Sequence, residues 1–125
     1  MTNAANTRTN ELKKSITSIL KQRVDKVYYR KAPITASYPY VTYFLDYRKD
    51  GAQYNYDLEV HVWTRDIKSA ESIADAIEDF DKCIFNNETH CYDLDLNSRN
   101  NVEDEDHDIQ HIVLLFNLIY FDMRG

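Results

Sequence analysis

Cys83, His90, Cys91, His107 and His111 are the candidates in this sequence for holding a transition metal or supplying a nucleophile. Their spacing does not assemble a site. A structural zinc site gathers four ligands, usually as closely spaced cysteine and histidine pairs. Here the two cysteines stand eight apart with no CxxC between them. His107 and His111 are four apart, but His111 opens a predicted strand, where that spacing does not define a ligand pair. Cys91 beside His90 fails as a nucleophile and base, because neighbours on a strand point to opposite faces. Asp93 and Asp95 do share a face and are the candidate carboxylate pair, although solvated acids on an edge strand explain them more simply. The run Glu103-Asp104-Glu105-Asp106-His107-Asp108 lacks the glycine and the alternating oxygen ligands of a calcium loop. It reads as a solvated turn, with an acidic loop that repels DNA or docks on a basic surface as the functional version. Only two glycines occur, one of them the last residue, which excludes a phosphate-cradling loop. No catalytic residue, cofactor or metal is therefore expected.

The bulk properties set the frame. A chain of 125 residues supports one domain with a real core. Its first six residues are expected to be disordered. No apolar run approaches the about 18 residues of a membrane span, and the start, MTNAANTRTNELKK, lacks the apolar stretch of a signal peptide. A cytosolic site of synthesis with reduced thiols is the expectation. The formal net charge is −6, but residues 1–31 carry +6 and the remainder −12. Such a division suits two differently solvated faces, or a basic end that meets an acidic surface, including that of a second copy. An acidic protein is a poor candidate for gripping duplex DNA in a sequence-specific way.

The elements follow from periodicity. Leu12, Ile16, Ile19 and Leu20 stripe one face of a helix from about Thr9 to Lys21. A short strand at DKVYYRK precedes a loop holding both prolines. YVTYFLDY, residues 40–47, reads as a strand, and Asp50-Gly51 as the hairpin turn after it. The return strand places Tyr54, Tyr56, Leu58, Val60 and Val62 on one side, with Asn55, Asp57, Glu59, His61 and Trp63 on the other. At Ile67 the period changes from two to between three and four. Ala70, Ile73, Ala74, Ile77, Phe80 and Ile84 then stripe a second helix, capped by Asp66 or Ser69. ETHCYDLDL forms a strand, SRNNVEDEDHD a turn, and HIVLLFNLIYF a central strand apolar on both faces. The order is α-β-β-β-α-β-β. It predicts an α+β fold: a two-layer sandwich of a mainly antiparallel sheet with two helices on one face.

Covering one face leaves the other carrying His61, Trp63 and part of the last strand, more apolar surface than a monomer usually leaves bare. Eight of the ten tyrosines fall between Tyr28 and Tyr56. Cross-strand packing is expected for most, with several reaching a partner. Tyr40, Tyr54, Tyr56, His61 and Trp63 are the candidate interface residues, and Glu103, Asp104, Glu105 and Asp106 the candidate channel or docking loop.

One family has this layout. The YPYV stretch at 38–41 and the EVHVWTRD stretch at 59–66, set between the amphipathic first helix and the Ala/Ile-striped second, resemble the tail-terminator (tail-completion, tail-to-head joining) proteins of long-tailed bacteriophages and prophages. The likeness spans roughly residues 10–121 and rests on packing patterns; the acidic run at 103–108 has no counterpart in it. It implies a protein without enzyme activity or cofactor, assembled in the bacterial cytoplasm into the virion. There a hexameric ring, built from copies that are monomers when free, would cap the head-proximal end of the tail tube, stop its polymerisation and bind the head connector. DNA would pass through the ring. A head-closure or other neck component, a small protein-binding module or antitoxin-like regulator, and an enzyme using Asp93, Asp95 or the His/Cys group are the competing readings.

Overall fold

The structure, a computed structural model, describes residues 8–50, 53–86 and 90–122. In order these form helix α1 (Arg8–Lys21), strands β1 (Val27–Tyr29), β2 (Tyr40–Asp50) and β3 (Gln53–Thr64), helix α2 (Ile67–Glu78), and strands β4 (Ile84–Asn86), β5 (His90–Val102) and β6 (Gln110–Asp122). The expected frayed residues 1–6 and the turn residue Gly51 lie outside the described residues. The strand order in the one sheet is β1-β2-β3-β6-β5-β4. Two helices with such a sheet make a mixed α+β fold, the class the pattern implied.

The alternation of β3 decides which side is which. Val41, Tyr43 and Leu45 of β2 stand opposite Val62, Val60 and Leu58 of β3, which stand opposite Ile112, Leu114 and Phe116 of β6. All are buried in one cluster with Leu12, Ile16, Ile19 and Leu20 of α1 and Ala70, Ala74 and Ile77 of α2. The small side chains of Ala70 and Ala74 let α2 lie close over β3 and β6. Its start is capped by Asp66, whose Oδ2 accepts from the Ser69 amide at 2.9 Å. That bond holds the Asp66 carboxyl below the usual carboxylate range.

One expectation is made more exact and two are corrected. First, the sheet is mixed: β2-β3-β6-β5-β4 pair antiparallel, and β1 at the edge runs parallel to β2, in register Val27↔Val41. The loop that returns the chain for this pairing carries residues 30–39. Second, α2 ends at Glu78 and Ile84 is not part of its stripe: it lies in an additional strand, β4, at 67% exposure. The added strand makes the order α-β-β-β-α-β-β-β. Third, the SRNNV segment is strand and not turn. Asn97 is an extra residue between the pairs Leu96↔Phe116 and Ser98↔Leu115, and after this bulge the facing reverses. Arg99 thus takes the core-side position opposite Leu114, where it reaches Asp75 (2.6 Å) and Glu78 (3.4 Å) of α2. A polar run stays in the sheet because its one inward cation has acids waiting.

The tyrosines behave differently from one another. Tyr43, Tyr56 and Tyr92 are buried on the helix side, and each phenol finds a hydroxyl of α1. Thr17 lies 2.7 Å from Tyr43, Thr9 2.8 Å from Tyr56, and Ser15 2.7 Å from Tyr92. Tyr43 also donates to the Lys13 carbonyl at 3.0 Å. Burial pushes the Tyr92 phenol up to about 12, so it stays a neutral hydrogen-bonding group.

Candidate functional site

No helix of the described residues packs on the second face of the sheet, and register sorts that face into rows. The first row is Tyr40–Trp63–His111–Val102; Thr42–His61–Val113–Asn100 and Phe44–Glu59–Leu115–Ser98 follow. The next, Asp46–Asp57–Asn117–Asp95, sets three carboxylates and one amide in a line across four strands. Like charges placed directly opposite destabilise a sheet, and cations answer them here. Arg30 reaches Asp46 at 3.2 Å, Arg48 reaches Asp57 at 3.4 Å, and Lys82 reaches Asp95 at 3.3 Å. Arg48 also donates to Asn117 at 2.8 Å. These pairs are solvated and contribute little individually. Asp93, one row further, has its carboxyl raised by burial and by neighbouring Asp95.

The upper rows are aromatic. The Trp63 and His111 rings stack at 3.7 Å between centroids, and Tyr40 continues the line at 6.3 Å. Trp63 Nε1 donates to Thr42 Oγ1 at 3.1 Å. His61 Nδ1 and His111 Nε2 are 2.7 Å apart, one donating to the other. His61 Nε2 lies 3.3 Å from Glu59 Oε2, outside good hydrogen-bonding geometry. The proton arrangement that points no lone pair at that carboxylate has His111 donating to His61 Nδ1 and His61 carrying its own proton on Nε2. Burial first, and His61 second, lower His111 to about 4, against smaller opposing pulls from Asp104 and Glu59.

Of the five candidate interface residues, Tyr40, His61 and Trp63 come together on this face. Tyr54 and Tyr56 do not, because even-numbered positions of β3 face the helices. Tyr56 is a core residue at 0% exposure, and this corrects its assignment to a partner surface. Tyr54 lies at the far end of the sheet, exposed, with the Arg8 guanidinium 3.8 Å over its ring. Glu103 to Asp106 lie in the β5–β6 loop, residues 103–109, which is folded on its own backbone: Asp104 Oδ1 accepts from the Asp106 amide and Asp106 Oδ1 from the Asp108 amide. A depression of about 340 Å³ beside it is lined by Glu103, Asp104, His107 and His111.

Among the described residues no three metal-ligating side chains converge. Cys83 and Cys91 are free thiols, and the side chain of His90 lies outside the described residues. Sequence reasoning missed the His61–His111 contact. Fifty positions separate the two, and only the β3–β6 register joins them; two histidines on predicted strands were its one signal.

No protein-family model matches the chain, and no curated protein matches it. The likeness lies in solved structure. Its fold recurs in a virion. A chain of a structure described as "Virion of native gene transfer agent (GTA) particle" superposes with a TM-score of 0.61 over 82% of this chain and 84% of that one, at 20% sequence identity. At that identity the shared property is the fold. No helix of the described residues is long and apolar enough to cross a membrane.

Proposed function

We propose that this protein is a structural component of a phage-type virion. In this reading copies of it cap the head-proximal end of the tail tube, end tube polymerisation and join the tail to the head connector. The observation that carries the reading is the fold held in common with a virion chain over most of both lengths. Two further features support it. The YPYV and EVHVWTRD stretches resemble tail terminators, and the helix-free face gathers aromatic and aliphatic side chains in the manner of an association surface. The protein then acts by shape, without a cofactor or a chemical step. Its partners are the tail-tube protein, the head connector and further copies arranged as a hexameric ring, assembled in the host cytoplasm into the neck of the virion.

The test adds purified protein to tail tubes polymerising in vitro and examines them by electron microscopy. Growth should stop at substoichiometric protein, with added density at one end of each tube. Tubes that lengthen unchanged with bare ends refute capping. Protein that instead decorates the portal vertex of filled capsids identifies a head-closure component.

A further inference from the structure

The chain carries a projection and a recess of opposite character. The projection is the β1–β2 loop. Ile34 sits at the tip of a turn closed by the Ala36 amide donating to the Pro33 carbonyl at 2.9 Å. It is wholly exposed (101%). A single exposed aliphatic residue is ordinary, but this one is held out on a built support. The Lys26 ammonium bonds both the carbonyl and the hydroxyl of Ser37, the Arg30 amide donates to the Tyr43 carbonyl, and Arg30 holds a φ of 69°. Lys31 on the same projection is exposed and enters no ion pair among the described residues.

The recess lies on the helix-free face. It has a volume of about 400 Å³ and is lined by the apolar residues Leu58, Leu115 and Phe116 together with Asp46, Asp57, Glu59 and Asn97. Among the described residues, Asp46 and Asp57 each pair with one solvated arginine, and Glu59 pairs only with His61. A lining that combines leucine with three carboxylates fits an aliphatic side chain accompanied by a cation. Ile34 at full exposure does not occupy the recess of its own chain. Two different complementary surfaces on one chain make a head-to-tail contact, which closes into a ring when the rotation allows.

We infer that the Lys31–Ile34 turn of one copy seats in the Leu115 recess of the next, with Ile34 on Leu115 and Lys31 facing Asp57 and Glu59. The inference rests on the ring-forming reading above and names the surfaces that build the ring. A turn already held in shape loses little conformational entropy on docking, and the charge pairing sets its register.

The test uses full-length protein with Cys83→Ser and Cys91→Ser, carrying Ile34→Cys and Leu115→Cys, mixed with tail tubes and oxidised. A disulfide-linked ladder extending beyond the dimer should form, and neither single introduced cysteine should give it. In parallel, Lys31→Glu should raise the concentration needed for capping about tenfold, and adding Asp57→Lys should restore it. Capped tubes with no ladder and no charge-swap rescue overturn the inference while leaving the capping reading intact. Cross-links to the tube or connector protein overturn it by identifying another occupant. Copies that never associate, on tubes or free, remove both readings.

Discussion

The His61–His111 pair shows what one hydrogen bond can impose on a surface. A 2.7 Å contact between two imidazoles uses one shared proton, so the bond exists only while at least one ring is neutral. His111 is kept neutral by burial, then by His61, which together lower it from 6.5 to about 4. The unfolded chain therefore binds a proton that the folded chain excludes between these values. Stability falls as pH drops through that window, and His111 adds no pH dependence above it. The upper part, from pH 6.5 to 5, is above the ordinary carboxylate range, so histidines dominate there. We expect the melting temperature of the wild type to decline over pH 6.5 to 5 and His111→Gln to flatten that decline. The slope is the readout, because losing the stack on Trp63 lowers stability at every pH. Equal slopes in the two proteins refute the argument. The pair was invisible in the sequence, since cross-strand register and not spacing brings residue 61 to residue 111.

Among the elements, α1 depends on the sheet for more than its apolar stripe. Three buried tyrosines, one each on β2, β3 and β5, present hydroxyls to Thr17, Thr9 and Ser15. An isolated helix of this length is marginal in water, and each such bond contributes about 1 kcal/mol net. Tyr92→Phe should cost about that much, and Tyr43→Phe and Tyr56→Phe more, because Tyr43 also bonds the Lys13 carbonyl and Tyr56 also accepts from Arg8 Nε at 2.9 Å. The triple variant should cost more than about 3 kcal/mol if the sites act independently. Hydrogen exchange should speed up first in α1. Equal acceleration in α1 and in β6 makes the loss global and refutes a specific tether. Periodicity disclosed both helices and the long strands, because one buried face imposes a regular apolar spacing. It failed where another force placed the residue. Ile84 continued a helical stripe that the structure ends at Glu78, and Ser98 to Val102 lacked alternation because a bulge reverses the facing at Asn97. The tyrosines read as candidate surface because an aromatic alone does not say whether its hydroxyl ends in water or on a helix.

At the scale of the whole molecule, charge is the organising quantity. The β5–β6 loop carries Glu103, Asp104, Glu105, Asp106 and Asp108, and none of them forms an ion pair among the described residues. In a capping ring, we propose that this loop borders the path of the DNA, where carboxylates keep phosphates from adhering. Its shape does not depend on its charge. Asp104 and Asp106 hold backbone amides through Oδ1 at 3.0 and 2.9 Å, and an asparagine keeps that oxygen. The variant Glu103→Gln, Asp104→Asn, Glu105→Gln, Asp106→Asn therefore removes four charges with the turns retained. Tube capping should be unchanged, while genome release from virions carrying the variant slows several-fold. The difference should shrink as salt shortens the Debye length from about 8 Å at 0.15 M towards about 3 Å at 1 M. Lost capping with normal release assigns the loop to docking on a basic partner surface, and unchanged behaviour in both assays removes any role for its charge. A steric defect would persist at every salt concentration, so the salt series distinguishes repulsion of the passing DNA from a misshapen loop.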